Sequence, residues 1–276
     1  MREIGPVRAV LLNLVGLGLG YVYIGRIRFA FALIAGIIGL LAVAGWSRLV
    51  FEPLGVYGLA IVAAGIALFV MIHCGLIAAR NRSAVAHAYN RWWIYALWVV
   101  ASFFFSEGII WSRPVLFGFE PFRVPSSSMA PTIQRGDFIM TDTWYFDRAD
   151  PKHGDLAAFD VPGDVGVKYL MRVVGLPGDR IEIRNDVLIR NGAVIDEPYV
   201  RLAGGGGGGL SNFGPVIVPD GSYFVLGDNR HNARDSRFIG PVGRRLLHGR
   251  VVHRWFAYDE SIRWDRFPQR IASASR

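Results

Sequence analysis

A single cysteine, Cys74, occurs in this 276-residue chain, and it lies inside an apolar stretch. An intrachain disulfide and a cysteine-based metal cluster are both excluded. Lysine is nearly as scarce: Lys152 and Lys168 are the only two among 30 basic residues, and the rest are arginine. Charged residues amount to 19% against 52% hydrophobic, with a mean hydropathy of +0.32. That balance is too apolar for an ordinary water-soluble protein. The net charge is +8. No basic run with interleaved aromatics suggests a nucleic-acid groove, so anionic lipid is the partner that the charge favours. The Gly-x-Gly-x-Gly run at 16–20 follows no strand and sits among apolar residues. It reads as helix packing through small residues rather than as a nucleotide loop. No cofactor or metal is expected.

The apolar excess lies before Pro114, in four stretches at 9–24, 29–46, 54–79 and 93–111. A span needs about 20 apolar residues to cross about 30 Å of hydrocarbon. The last three qualify. The first is short and glycine-rich, so it is either a tilted span or one arm of a re-entrant hairpin. Three to four spans are therefore expected in an anchor over residues 1–112. Arg26 and Arg28 follow the first stretch, and Arg80, Arg82 and Arg91 lie between the third and fourth. Two spans separate the groups, so both fit the cytoplasmic side. Everything after Trp111 is then periplasmic or extracellular. Trp92, Trp93, Trp98 and Trp111 fit an aromatic belt. His73 reads as a neutral histidine bonded to a neighbouring helix.

After Pro114 the pattern changes to short β-rich runs with Gly, Pro and Asp between them. These runs fall at 137–141, 155–159, 169–174, 180–183, 187–190, 216–218, 222–226 and 250–256. Such spacing predicts an antiparallel all-β outer domain over residues 113–276. Gly178-Asp179 and Asn191-Gly192 are turn signals, the second for a hairpin. The glycine run 204–209 predicts a flexible loop. The expected fold class is thus an α-helical multispan membrane anchor followed by an all-β domain.

Three segments of the outer half share one pattern. The first is Pro125-Ser126-Ser127-Ser128-Met129-Ala130-Pro131-Thr132, followed by Gly136-Asp137. The second is Tyr169-Leu170-Met171-Arg172-Val173-Val174-Gly175-Leu176-Pro177-Gly178-Asp179, preceded by Gly154-Asp155. The third runs from Gly227-Asp228-Asn229-Arg230-His231-Asn232 to Ala233-Arg234-Asp235-Ser236-Arg237. In order and spacing they resemble type I signal peptidases (leader peptidases, the S26 serine endopeptidases). The resemblance implies a signal-peptidase-like β domain and removal of signal peptides from exported proteins at the outer membrane face. It places the protein in the plasma (inner) membrane. Its partners would be signal peptides, the bilayer and, as a further expectation, the secretion machinery. The four-stretch anchor is larger than the one or two spans usual in that family.

By the same resemblance Ser128 is the nucleophile. The Ser126 hydroxyl and the Ser128 backbone N–H form the oxyanion hole, two donors aimed at the charge that develops in acyl transfer. Arg172, Asp228, Asn229, Asp235, Ser236 and Arg237 are supporting residues, with Asp235 and Arg237 as an ion pair beneath the site. Met129 is an apolar foot on lipid or substrate, or else a core residue.

Two positions depart from the family. Its lysine base falls at Met171, and a thioether has no basic nitrogen to take the serine proton. The serine that orients that lysine falls at Ala233. The pair reads as one polar pocket replaced by an apolar one. Lys168 and His231 are the alternative bases. Lys168 is offset by three residues, which puts it on the opposite strand face from Met171. Endoplasmic-reticulum signal peptidases use histidine, but at the lysine position itself. Lys152 reads as a turn residue, and His153, His248 and His253 have no motif support. The expectations are therefore a signal peptidase I-type endopeptidase or, alternatively, a catalytically impaired relative that binds signal peptides or partners without cleaving them.

Overall fold

The structure is a computed structural model. It describes residues 5–80, 91–161, 167–202, 210–259, 261–263 and 269–271. Arg82 and the glycine run 204–209 lie outside the described residues. The chain divides into two compact units, Met1–Phe117 and Gly118–Arg276.

The first unit is helical. The stretch at 9–24 is broken into two short helices, α1 (Pro6–Val15) and α2 (Leu19–Tyr23). Pro6 starts α1, where its missing N–H costs nothing. Asn13 holds the break: its side-chain amide donates to the Ala9 carbonyl and accepts from the Gly20 N–H, both at 3.1 Å. A Cβ on Gly20 would lie 2.2 Å from the Ala9 oxygen, so the two helices touch only because this position has none. Three longer helices follow: α3 (Ile27–Trp46), α4 (Pro53–Arg80) and α5 (Trp92–Leu116). Their mean hydropathies of 2.4, 2.5 and 1.6 make them, by length and composition, long and apolar enough to cross a membrane. His73 on α4 meets the Tyr21 hydroxyl of α2 at 2.9 Å and stacks on Phe69.

The second unit is antiparallel β. Its strands are β1 (Phe119–Arg123), β2 (Asp137–Asp142), β3 (Leu156–Asp160), β4 (Lys168–Gly175), β5 (Arg180–Arg184), β6 (Val187–Arg190) and β7 (Ala193–Val194). There follow β8 (Phe213–Ile217), β9 (Ser222–Leu226), β10 (Val242–Gly243), β11 (Leu247–Asp259), β12 (Ser261–Arg263) and β13 (Gln269–Arg270). The larger sheet runs β1-β2-β11-β3-β4-β9-β10, with β12 and β13 also on β11. The smaller runs β7-β6-β5-β8. Register shifts along β11 let this long strand bend while it pairs both β2 and β3. Asn191 and Gly192, both at positive φ, make the hairpin turn between β6 and β7.

Two apolar clusters result. The main one gathers Met129, Ile133, Ile139, Leu156, Phe159, Met171, Val173 and Val225. The second lies against the smaller sheet, with Val174, Ile181, Leu188 and Phe224. Strand β4 is buried on both faces: Met171 and Val173 enter the main core, and Val174 enters the other. Arg172 lies between them in sequence and so points away from the main core.

Candidate active site

The loop between β1 and β2 carries Ser126 and Ser128. Two backbone bonds close its neck, Val124 N–H to Asp137 at 2.9 Å and Gly136 N–H to Val124 at 2.8 Å. Met129 and Ile133, 2% and 0% exposed, plug it into the main core. Of the two roles open to Met129, the structure assigns the core. With its neighbour anchored, Ser128 is held half-buried at the surface and Ser126 is exposed. Among the described residues, neither serine hydroxyl nor the Ser128 N–H is engaged by a protein group.

The loop after β9 grips the serine loop from behind. The Asn229 N–H donates to the Ser128 carbonyl at 3.0 Å, and its side-chain amide donates to the Ser127 carbonyl at 3.1 Å. Asp228 joins all three sequence segments. It accepts a fork from Arg172 at 2.8 and 2.6 Å and the Thr132 hydroxyl at 2.6 Å. Arg172 also donates to the Gly154 carbonyl at 3.0 Å. Both members of the Arg172–Asp228 pair are 1% exposed. A buried pair survives only when its remaining polar groups are satisfied, and here they are.

A second buried pair follows in the same segment. Arg237 forks onto Asp235 at 2.8 Å to each oxygen, and Asp235 accepts the Gly227 N–H at 3.2 Å. The Ser236 hydroxyl accepts the Val225 N–H at 2.9 Å. Three further residues join this network and were not singled out from the sequence; one nitrogen of Arg230 stays without a partner among the described residues. The Arg172 guanidinium lies 3.9 Å over the Tyr199 ring, the Tyr199 hydroxyl donates to Glu197 at 2.8 Å, and Arg230 pairs with Glu197 at 2.6 Å. Burial, with Glu197 alongside, pushes the Tyr199 phenol well above its ordinary range. The Glu-Pro-Tyr run at 197–199 was the available signal, but a lone acid and aromatic outside any strand pattern name no partner.

The other side of the site is apolar. Met171 is 2% exposed and belongs to the same core as Met129. Arg172 pairs with Leu226 in the β4–β9 register. Met171 and Gly227 are the chain neighbours of this pair on the two segments. A Cβ on Gly227 would lie 2.3 Å from the Ala233 methyl and 2.7 Å from the Ser128 carbonyl. Met171, Gly227, Ala233 and Ser128 therefore share one neighbourhood. Ala233 is itself 8% exposed.

The alternative bases are committed elsewhere. Lys168 pairs with Asp160, its partner across β3–β4, at 3.0 Å. His231 meets Asp186 at 3.0 Å, on the β5–β6 turn. His153 meets Asp179 at 2.7 Å, and His248 is bonded to Glu120. His253 is buried on β11 opposite Met140, and Lys152 is exposed. Among the described residues, no three His, Cys, Asp or Glu side chains gather as a metal site.

Residues 93–256, more than half of the chain, match the family described as signal peptidase, peptidase S26. The chain belongs to this family. It is 42% identical over 153 residues to signal peptidase I S of Bacillus subtilis, covering 52% of this chain and 80% of that one. With signal peptidase I of Bacillus licheniformis the identity is 37% over 165 residues, covering 54% and 83%. A probable signal peptidase I-2 of Synechocystis is 35% identical over 138 residues, and there the match spans only 61% of the relative's length. A crystal structure of a signal peptidase I from Enterococcus faecalis aligns at a TM-score of 0.33 with 33% identity, over 37% of this chain and 97% of the other.

In this signal peptidase family member, then, the Ser126 and Ser128 hydroxyls face no protein partner among the described residues, position 171 carries a thioether in an apolar core, and Lys168 and His231 are paired with Asp160 and Asp186.

Proposed function

We propose that this chain engages the signal peptides of exported proteins on a signal-peptidase cleft and that its own hydrolytic step is impaired. Ser128 occupies the nucleophile position, and Ser126 with the Ser128 N–H forms the oxyanion hole. Arg172, Asp228, Asn229, Asp235, Ser236 and Arg237 hold that loop in place. The helices of residues 5–116 anchor the protein as a multi-pass chain in the plasma membrane. The β domain then works on the periplasmic or extracellular side, in contact with the bilayer and within reach of the secretion machinery.

The observation that carries the reading is the burial of Met171 at 2% exposure in the main core, with Ala233 beside the same glycine. A serine hydroxyl without an adjacent base is a weak nucleophile. Oxyanion donors and binding alone leave a residual rate on the order of 10³–10⁴ over water in serine-protease precedents. A second reading, an active endopeptidase, is favoured by the intact serine loop and by relatives named signal peptidase I.

Binding and cutting separate in one experiment. Full-length protein in nanodiscs is mixed with a fluorescent signal peptide, and the bound peptide is recovered and weighed by mass spectrometry. The proposal expects saturable binding, competed by unlabelled signal peptide but not by a scrambled one, and intact peptide. Cut peptide, with cutting lost in Ser128→Ala, would establish the second reading. Binding no better than that of the scrambled peptide would overturn both.

A further inference from the structure

Asn229 reaches the serine loop through two donors of different kinds. Its backbone N–H donates to the Ser128 carbonyl at 3.0 Å, a bond that any residue but proline would make there. Its side-chain amide donates to the Ser127 carbonyl at 3.1 Å, and that bond needs the side chain. The Ser127 carbonyl already accepts the Ala130 N–H at 3.1 Å, so it is satisfied without Asn229. The second bond also has a cost. A carbonyl oxygen only accepts, so Asn229 must turn its amide nitrogen toward Ser127. Its amide oxygen is then left buried and without a partner among the described residues. An unmatched buried acceptor destabilises a fold. A bond that the loop does not need, made at the expense of an orphaned oxygen, asks for another reason.

Peptide geometry supplies it. The Ser127 carbonyl and the Ser128 N–H belong to one planar trans unit, so they point in opposite directions. With the oxygen tied to Asn229, the hydrogen is aimed the other way, out from the loop after β9. One bond from Ala130 leaves this plane free to rock about the chain, whereas two bonds on the same oxygen fix it. The platform is itself braced. The Arg201 N–H donates to the Asp228 carbonyl at 2.8 Å, and the Arg230 N–H donates to the Arg201 carbonyl at 3.3 Å. The residues on both sides of Asn229 are thus tied to position 201, which bridges Asn229 in parallel. A hydrogen bond accepted at a peptide oxygen also polarises the unit and strengthens its N–H as a donor.

We infer that Asn229 is a positioning residue whose side-chain amide aims and strengthens the Ser128 N–H as an oxyanion donor. It touches neither substrate nor reacting atoms and acts through the Ser127–Ser128 peptide unit. The inference rests on the proposed role of that N–H in the oxyanion hole and names the group that orients it.

The sequence offers a clean probe, because Ser-Ser steps occur only at 126–127 and 127–128. Full chain in nanodiscs, made with serine labelled by 15N and carbonyl 13C, gives one signal for each step when every amide is correlated with the preceding carbonyl. Ser126→Ala removes the first signal and so assigns both. Asn229→Leu should move the Ser127 carbonyl and Ser128 nitrogen upfield and leave the Ser126–Ser127 signal in place. It should not lower the unfolding midpoint, because the orphaned oxygen leaves with the bond. In a protein with the base restored, Met171→Lys/Ala233→Ser, the same substitution should lower kcat on a signal-peptide substrate by about tenfold with KM unchanged, less than the 10²–10³ lost with a whole oxyanion donor. Asn229→Ala, which cannot clash, should repeat both results. An unmoved Ser127–Ser128 signal overturns the inference, as does an unchanged kcat. A loss that appears in KM, or only together with a fall in stability, makes Asn229 a structural residue and overturns it too. If the base-restored protein cuts nothing, the proposed account of Met171 fails, and the spectra alone decide on Asn229.

Discussion

On one side of Ser128, polar groups are matched almost one for one. Asn229 holds the Ser127 and Ser128 carbonyls, Asp228 joins Arg172 to Thr132, and Asp235 joins Arg237 to Gly227. On the other side, Met171 lies in a hydrophobic core and Ala233 fills the space beside Gly227. The two sides solve the same packing problem with opposite chemistry. A network with one member missing leaves a buried polar group unsatisfied, which is worse than having no network at all. The frame that holds the serine loop is matched except at the Asn229 amide oxygen and one Arg230 nitrogen, and under the proposed reading the base and its hydroxyl are absent as a pair. A methionine at 171 suits this apolar wall, since Met has nearly the length of a lysine stem.

The comparison can be broken most forcefully by restoring both missing groups. Met171→Lys/Ala233→Ser should raise cleavage of a signal-peptide substrate by about 10²–10⁴-fold, the usual worth of a positioned general base. Either single variant should gain far less. Rate constants of the four proteins give the coupling directly. Equal gains from Met171→Lys alone would show that the two positions do not form one pocket.

The polar side is tested through Asp228. Asp228→Ala leaves the Arg172 guanidinium buried without its carboxylate and should cost about 3–5 kcal/mol of β-domain stability. Denaturant unfolding of the full chain, followed by tryptophan fluorescence, measures it. A loss below about 1 kcal/mol, the range of an exposed pair, would mean that the buried Arg172–Asp228 pair does not hold the frame together.

Much of this contrast was legible in the sequence. The three segments stood in order, and the departures at Met171 and Ala233 were visible as residue types. Lys168, at an odd offset from Met171, pairs with Asp160 across β3–β4, a partner the offset alone did not name. The eight strand runs fall on real strands, because each alternates or clusters β-formers between turn residues. What stayed hidden depends on contacts between distant segments. Strand β1, with Pro121 within it, is not among the runs read from the sequence and is defined by its pairing with β2. Glu197 and Tyr199 gain meaning only once Arg172 and Arg230 are folded against them. The stretch at 9–24 read as either a tilted span or one arm of a re-entrant hairpin, and its break became clear only through the Asn13 bonds and the approach of Gly20 to Ala9.

Smaller effects sharpen the contrast. Lys168→Ala should leave the activity of Met171→Lys/Ala233→Ser unchanged, because Lys168 serves Asp160 at a part-exposed edge. Its stability cost should stay within about 1 kcal/mol. A loss of activity in the same assay would make Lys168 part of the proton path.

The smallest effect lies away from both sides, at the turn before β5. Burial alone would raise the Asp179 carboxyl. Bonds from the Leu176 N–H, His153 and Asn191 outweigh it and hold the group below its ordinary range. A carboxylate depressed in the folded state adds stability above its unfolded pKa of about 4, and that share is lost as pH falls through the lower folded value. Asp179→Asn should therefore narrow the gap in unfolding midpoint between pH 6 and pH 3. An unchanged gap would remove Asp179 from the acid limb.

The central proposal, that Ser128 stands in a buried polar frame without a base, meets its most direct test in two purified full-length proteins, wild type and Ser128→Ala, assayed side by side on a signal-peptide substrate. The account predicts indistinguishable, near-background rates for the two. Robust wild-type cleavage that disappears in Ser128→Ala would contradict it.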